Sequence, residues 1–135
     1  MPGIKLVRFG LALLLLVGCA GRLPRPQDFP LHSTDDPYFN LHWRLDKEDG
    51  VVKVVGLVEA ARVDGVYSVF LQLRELDAQG NIVNSASGRT YGAPIFQWSW
   101  QPFSLRLRPI NPEDRFELKV LTFDWEGATM RGSRN

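Results

Sequence analysis

Residues 39–60 read FNLHWRLDKEDGVVKVVGLVEA, and their apolar pattern decides the fold. In residues 39–46 the odd positions are apolar and the even positions are polar, which is the period of a strand with one buried face. Residues 47–50 carry a turn signal, and the β-branched run of residues 51–60 predicts a second strand, buried on both faces or nearly so. Gly56 within that run indicates a bulge or a close approach of two backbones.

Strand and turn patterns continue outward from this stretch. Further strands are predicted at residues 66–76, 82–85, 95–101, 103–108 and 116–123, separated by Gly, Asp and Pro turns. Residues 85–93 are small and polar, which indicates a loop or an edge. Seven strands at spacings of 8–15 residues favour an antiparallel β-sandwich over residues 38–124, followed by a flexible tail at residues 125–135.

In strand order and turn placement the domain resembles the small immunoglobulin-like modules of bacterial envelope proteins, including the FxLYD-type group. The residues that carry this resemblance are Gly56-Leu57-Val58 in one strand and Leu76-Asp77-Ala78-Gln79-Gly80 in the turn after the next strand. The chain has Glu59-Ala60 where that group has Asn. The resemblance implies an immunoglobulin-like sandwich rather than a barrel.

Residues 1–18 have the pattern of a secretory signal peptide. Two basic residues, Lys5 and Arg8, precede an apolar run from Phe9 to Gly18. That run has ten residues, whereas a helix that crosses a bilayer needs roughly 20. A basic start, a short apolar segment and small residues at its end predict export and removal of this segment. A short transmembrane anchor or a buried N-terminal helix is the alternative.

The end of the apolar run, Leu16-Val17-Gly18-Cys19, resembles the lipobox of bacterial lipoproteins. The resemblance implies cleavage between Gly18 and Cys19 and covalent lipid on the Cys19 sulfur, and we expect no other cofactor. Two or three acyl chains on one residue would form a durable membrane anchor, since a single chain binds only marginally. Ala20, rather than Asp, resembles lipoproteins that two-membrane bacteria release to the outer membrane, facing the periplasm. In a single-membrane organism the same sequence would stay on the plasma membrane.

Residues 19–37 are predicted to form the lipidated N-terminus and an extended, proline-rich linker. Four of the nine prolines fall here, and each one lacks an amide donor and restricts the residue before it. A polyproline-like linker of this length would span roughly 50 Å. His32, Asp35 and Asp36 in the linker, and His42 on the polar face of the next strand, are interpreted as solvated residues, because a metal site needs several rigidly held ligands.

Composition and charge limit the classes of function. The chain has 135 residues, room for one domain, and its 44% hydrophobic and 23% charged residues exclude a wholly disordered protein. Without residues 1–18 it carries 14 basic and 15 acidic side chains, a net charge of −1. Nucleic-acid-binding domains have a basic surplus, so we expect no nucleic-acid partner. One cysteine cannot form an internal disulfide framework, so burial alone must stabilise the domain.

Phe96, Trp98 and Trp100 alternate with polar residues and form the first candidate binding site. If this face points inward, the three rings belong to the core, which is the commoner fate of large aromatic side chains and the expectation here. If it points outward, the rings form an aromatic platform for sugar rings or for a protein partner.

Arg106 and Arg108 form the second candidate site, on the polar face of the neighbouring predicted strand. They could bind an anionic polymer of the cell envelope. The competing interpretation is a solvated strand face, which the acidic residues nearby in sequence favour.

No catalytic residues are predicted. The only cysteine is assigned to lipidation, and both histidines lie at or before the first predicted strand of the domain. Glu75 and Asp77 are the one arguable carboxylate pair, but Asp77 opens a turn. We therefore expect a non-enzymatic module without a metal. It would bind an envelope protein, or alternatively a carbohydrate or peptidoglycan through its aromatic strand face.

Overall fold

A computed structural model describes residues 23–125 of the chain as two antiparallel β-sheets. Its strands are β1 (Leu31–Ser33), β2 (Phe39–Glu48), β3 (Val51–Ala60), β4 (Val66–Leu76), β5 (Ile82–Arg89), β6 (Trp100–Leu107) and β7 (Arg115–Trp125). A single 3₁₀ turn, Pro26–Asp28, precedes β1 in this part of the chain. Between residues 23 and 125 no helix has the length and apolarity needed to cross a bilayer.

The two sheets form a sandwich, and the described chain passes from one sheet to the other three times. One sheet has the order β1-β2-β3-β6 and the other has the order β5-β4-β7. The strand pairs β2–β3 and β4–β5 are hairpins, and the β3–β4, β5–β6 and β6–β7 connections pass from one sheet to the other. These crossings are of the Greek-key kind. The predicted antiparallel, immunoglobulin-like sandwich of about seven strands is confirmed.

Alternating residues of each strand fill the space between the sheets. The alternation that predicts β2 holds, because Phe39 and Leu41 are buried with at most 2% of their surface exposed. In β3 it is the even positions that face inward, and β4 and β6 contribute in the same alternating way. Burial of one such side chain stabilises the fold by about 1.5–3 kcal/mol. The main members of this core are Phe39, Leu41, Val54, Val58, Val69, Leu71, Leu73, Phe103, Leu105 and Leu118.

The predicted turns form where their local chemistry indicates. Asp49 and Gly50 have φ angles of 51° and 71°, as a two-residue hairpin turn that matches strand twist requires. In the β4–β5 turn one carboxylate oxygen of Asp77 accepts hydrogen bonds from the amides of Gln79 (2.9 Å) and Asn81 (2.8 Å). These contacts lie within a few residues, which is why the sequence alone predicts them.

Three strand boundaries differ from the predictions. The predicted strand 95–101 is a turn at residues 96–99, because Trp98 has a φ of 67°, outside the extended region, and β6 begins only at Trp100. The region 85–93 is an edge strand as far as Arg89. The last strand runs to Trp125, which pairs with Val66 of β4 beyond a bulge at Leu121.

Trp125, the first residue of the predicted tail, belongs to β7 instead. The Trp125 ring lies edge-on to the Phe123 ring, with centroids 5.6 Å apart, and both rings pack against the core. Phe123 in turn lies edge-on to Phe39 at 5.0 Å. Only residues 126–135 of the predicted tail lie outside the described residues.

The predicted linker is not a free spacer from Pro26 onward. Phe29 is buried, with 7% of its surface exposed, and the 3₁₀ turn before it packs against β3. β1 then pairs with β2, with Leu31 opposite Trp43. Asp35 forms a salt bridge of 3.0 Å with Lys119 of β7. The spacing of the prolines indicated an extended chain. The pairing of β1 with β2 and the burial of Phe29 depend on residues later in the sequence, so the proline pattern could not indicate them.

Gly56 allows β2 and β3 to approach closely, which is one of the two readings of this glycine. A Cβ atom at this position would lie against the backbone carbonyl oxygen of His42 and 2.8 Å from the Cα and Cβ atoms of Trp43. Real Cβ atoms do not approach backbone so closely, so the two strands would have to move apart.

We expect Gly56→Ala to lower the free energy of unfolding by about 3 kcal/mol or more, because overpacking here displaces backbone rather than a side-chain tip. The matched control is Gly88→Ala, whose added Cβ meets the end of the Leu105 side chain. That side chain can rotate, so the cost should be about 1 kcal/mol. Urea unfolding measures the free energy of unfolding of both variants. If both substitutions lowered it equally, the close backbone approach at Gly56 would not explain the cost.

Candidate binding surface

An exposed set of aromatic side chains lies on the β5–β6 connection and at the start of β6. Tyr91, Phe96, Trp98 and Trp100 are 61%, 62%, 61% and 40% exposed, and we call these four residues the aromatic surface. The expectation that Phe96, Trp98 and Trp100 belong to the core is wrong, and the outward alternative is correct for their placement. The surface lies at the end of the sandwich where β3 and β5 finish and β4 and β6 begin.

The buried amide of Gln101 turns Trp100 outward. Gln101 is 2% exposed, and its Oε1 accepts a hydrogen bond of 2.5 Å from the hydroxyl of Thr90. Its Nε2 donates to the carbonyl oxygens of Ala93 (2.7 Å) and Tyr67 (3.1 Å). Because neighbouring residues of a strand point to opposite faces, this burial places Trp100 on the outer face of β6. The sequence pattern assigned Gln101 to the polar face and gave no sign that its amide has partners inside.

The turn that carries Phe96 and Trp98 is fixed by hydrogen bonds to its own residues and to the β3–β4 connection. Every backbone amide from residue 95 to residue 99 donates inside the protein. The acceptors are the carbonyl oxygens of Val66, Ala60 and Phe96, the hydroxyl of Ser99 and the carboxylate of Asp64, at distances of 2.7–2.9 Å. The Gln97 side chain adds a hydrogen bond of 3.2 Å to the carbonyl oxygen of Ala61. The backbone under the exposed rings is therefore rigid.

Trp98 occupies a backbone conformation that L-residues avoid. Its φ of 67° is in the left-handed region, which costs roughly 1–2 kcal/mol for a residue other than glycine. Such conformations persist where the surrounding contacts determine them, and they are frequent at functional sites. Here the Trp98 amide donates to Ala60 at 2.7 Å and the indole is left 61% exposed. The hydrogen bonds of the turn hold this conformation and leave the ring in solvent.

Arg106 and Arg108 do not join the aromatic surface. Arg106 lies on the outer face of β6, six residues or about 20 Å along the strand from Trp100. It pairs across the sheet with Lys53, in a shallow depression that also includes Glu48 and Asp49. The like-charged pair is unfavourable in itself, and the two carboxylates provide opposite charge. Arg108 follows β6, and its carbonyl oxygen accepts a hydrogen bond of 2.9 Å from Asn84.

His42 is buried, so its predicted placement on the solvated face is wrong. The alternation does put it on the outer face of β2, but there the His32 ring of β1 lies edge-on to it, with ring centroids 5.0 Å apart. Its Nδ1 lies 2.7 Å from Nδ1 of His32, and its Nε2 lies 3.1 Å from a carboxylate oxygen of Glu59. Among residues 23–125 no three His, Cys, Asp or Glu side chains are grouped so that they could hold a metal ion.

Glu75 and Asp77 hold two different loops and do not form a catalytic pair. The Glu75 side chain is fully buried, and its carboxylate accepts hydrogen bonds from the amides of Ile110 (2.9 and 3.1 Å) and Asn111 (3.0 Å). The Asn84 side chain donates a further bond of 3.2 Å. Asp77 binds amides of its own turn. Sequence reasoning did not find the role of Glu75, because its partners lie about 35 residues away.

Burial and hydrogen bonding have opposite effects on the Glu75 carboxylate. Burial raises the pKa of Glu75, but hydrogen bonds from the Asp114 carboxyl, the Ile110 and Asn111 amides and Asn84 together lower it below its ordinary value. The hydrogen bond to Glu75, assisted by burial, raises the pKa of Asp114. Of the two carboxyls, Asp114 therefore holds a proton more readily than Glu75 does.

Gly18 and Cys19, the predicted cleavage and lipidation site, lie outside the described residues. Comparison with known proteins gives no relative that bears on them or on the aromatic surface. No protein-family model matches the chain, and no curated protein or solved structure matches it. Function is therefore inferred from the N-terminal sequence and from the geometry of the domain.

We expect Glu75→Gln to lower the free energy of unfolding at neutral pH by about 1–3 kcal/mol, because buried amides then face a neutral group with one acceptor instead of two. Since the pKa of Glu75 is lowered on folding, its contribution is complete above the ordinary pKa of 4.5 and is lost as the pH falls through the lowered value. The difference in the free energy of unfolding between the native protein and Glu75→Gln should therefore become smaller below pH 4.5. Urea unfolding at several pH values measures this difference.

Asp114→Asn is the matched control, because its amide can still donate to Glu75. The raised pKa of Asp114 means that its contribution is present below its ordinary pKa of 3.8 and is lost as the pH rises through the raised value. An asparagine does not lose its proton, so this variant should be at least as stable as the native protein at neutral pH. A large loss of stability there would contradict a donor role of residue 114 toward Glu75.

Proposed function

We propose that this chain is an exported lipoprotein, attached to a membrane by lipid on Cys19, whose β-sandwich is a binding or assembly module of the cell envelope. The sequence Leu16-Val17-Gly18-Cys19 after a basic, then apolar, start supports the anchor. Ala20 at the next position supports the outer membrane, on its periplasmic side. The observation that carries the binding role is the aromatic surface, since exposed aromatic patches on a rigid backbone are typical of contact sites.

The docked N-terminal segment shortens the distance between anchor and domain. Residues 19 and 26 are separated by seven residue steps, which can span at most about 25 Å. The 50 Å spacer that the prolines indicate would instead allow the domain to move well away from the lipid. A short tether favours partners that are themselves at the membrane surface.

The partner that we propose is an envelope protein. Tryptophan and tyrosine are enriched where protein interfaces derive most of their binding energy, and the aromatic surface supplies both residue types. We propose no catalytic role, because the buried carboxylate of Glu75 and the contact between His42 and Glu59 serve to hold loops and strands together.

The alternative is a lipoprotein that binds carbohydrate or peptidoglycan. The exposed rings of Trp98 and Trp100 favour it, because flat aromatic faces can stack on sugar rings. Arg106 and Arg108 could add contacts to an anionic polymer only if it extended about 20 Å along β6 from the aromatic surface.

Mass spectrometry of the protein from its native host should find the chain beginning at Cys19 and heavier by the mass of two or three acyl chains. Cys19→Ala should carry no lipid, because the substitution removes the sulfur that is acylated. An unmodified Cys19 together with an intact Met1 would overturn the proposal. Ala20→Asp is the control, which should keep the lipid but remain in the inner membrane of a two-membrane host.

Cross-linking in native membranes separates the two partner classes. A photo-reactive residue in place of Trp98 should cross-link to one envelope protein, whereas the same residue in place of Ile110, 69% exposed on the β6–β7 connection, should not. Co-sedimentation of the native protein with purified wall material, lost in Trp98→Ser, would instead support the carbohydrate alternative. Equal cross-linking from both positions would contradict a specific protein contact.

A further inference from the structure

We infer that His32 and His42 form a proton-sensitive clasp, which holds β1 on β2 near neutral pH and releases it more often as the pH falls. They are the only two histidines of the chain, and their Nδ1 atoms lie 2.7 Å apart. The clasp itself does not depend on lipid at Cys19, whereas its effect on the tether rests on the proposed anchor.

The partners of the two rings determine where the hydrogens lie at neutral pH. Nε2 of His42 is 3.1 Å from a carboxylate oxygen of Glu59. Because an ionised carboxylate only accepts hydrogen bonds, this nitrogen carries the hydrogen of the neutral His42 ring. Nδ1 of His42 is then an acceptor, and the hydrogen between the rings belongs to Nδ1 of His32.

One added proton fits this arrangement and a second does not. The first binds to Nε2 of the exposed His32, whose Nδ1 still donates to His42. The second can bind only to Nδ1 of His42, and two N–H groups would then face each other across 2.7 Å. Two cations with ring centroids 5.0 Å apart would also share the single carboxylate of Glu59.

The charged groups of the sheet around the rings do not offset the second proton. Among residues 23–125, Glu59 is the one charged side chain with a hydrogen bond to either ring, and it also accepts one of 3.2 Å from the Asn40 amide. The next residue on this face of β2 is Arg44, whose guanidinium is paired with Asp46 at 3.3 Å. The residues of β6 on the same face are uncharged at this end of the sheet: Trp100, Pro102 and Ser104.

The charged residues that flank β1 in the chain have partners of their own. Asp28 accepts a hydrogen bond of 2.9 Å from the backbone amide of Arg25. Asp35 forms its salt bridge with Lys119, and Asp36 accepts hydrogen bonds of 2.8 and 3.0 Å from the first two amides after Pro37. Since histidine is the side chain whose charge ordinarily changes between pH 8 and pH 5, the two rings dominate the response of β1.

Proton linkage gives the size of the effect. The docked pair accepts one proton and the released pair accepts two, so the ratio of released to docked β1 rises up to about tenfold for each pH unit below the ordinary histidine value of about 6.5. Between pH 7.5 and pH 5 this amounts to roughly thirtyfold. Burial of Phe29 opposes release at every pH.

Release changes the reach of the domain if lipid holds Cys19. With the N-terminal segment docked, the connection from Cys19 to Pro26 spans at most about 25 Å. With β1 and the 3₁₀ turn released, the first fixed residue is Asp35, at its salt bridge with Lys119. The chain from Cys19 to Asp35 can span up to about 55 Å, so the domain can act further from the membrane at low pH.

Hydrogen exchange of the full-length lipidated protein in phosphatidylcholine vesicles, read by mass spectrometry, tests the clasp. The exchange rate of β1 amides, corrected for the intrinsic effect of pH, should be about thirtyfold higher at pH 5 than at pH 7.5. The amides of β4 and β7 should show no such change. His32→Asn is the matched variant, because its amide can donate to His42 or accept from it without gaining a charge, so its corrected rate should be the same at both pH values.

Equal corrected rates in the native protein at the two pH values would overturn the clasp, as would an equal rise in His32→Asn. The exchange of β1 can be read whether or not Cys19 carries lipid, so a chain without lipid would refute the anchor alone.

Energy transfer tests the tether. A dye on Ile110→Cys, an exposed position, should transfer less energy to acceptor lipids at pH 5 than at pH 7.5, and His32→Asn should remove this difference. If β1 opens and the transfer stays constant, the lengthened tether is wrong.

Discussion

The hydrogen bonds of one buried side chain, Gln101, determine that Trp100 points to the outer face of β6. Its amide accepts from Thr90 and donates to the carbonyl oxygens of Ala93 and Tyr67, so the start of β6 is tied to the β5–β6 connection and to β4. A slip of one residue would bury Trp100 and bring the amide to the surface. In the slipped register the buried hydroxyl of Thr90 and the carbonyl oxygens of Ala93 and Tyr67 would lose their partner, so the satisfied network disfavours that register.

The parts of the fold that the sequence predicts are those that depend on near neighbours. β3 and β4 begin and end where their apolar runs do, and the turns at Asp49-Gly50 and Asp77 form through residues within the turns themselves. The alternation in β2 likewise follows directly from the pleat. In these segments local preference and the final structure agree, as foldable sequences require.

The features that the sequence does not predict depend on distant partners. The run FQWSW has perfect period-two alternation, yet it is a turn, because Asp64 and Ala60 bind its amides from a different connection. Tertiary contacts here override the local pattern. β1 was missed because three residues between prolines carry almost no signal, and they become a strand only against β2. The aromatic residue types in the sequence identified the candidate site. That the rings are exposed and that hydrogen bonds hold the backbone beneath them could be seen only in the structure.

β1 pairs with only part of the outer edge of β2. Beyond Trp43 that edge has no β1 partner, and its side chains there include Arg44, Asp46, Lys47 and Glu48. A bare strand edge is a template for addition of another chain, and closely spaced charges are a common protection against it. If copies were tethered to one leaflet, as proposed, they would collide often, and the charged half of this edge would oppose their pairing edge to edge.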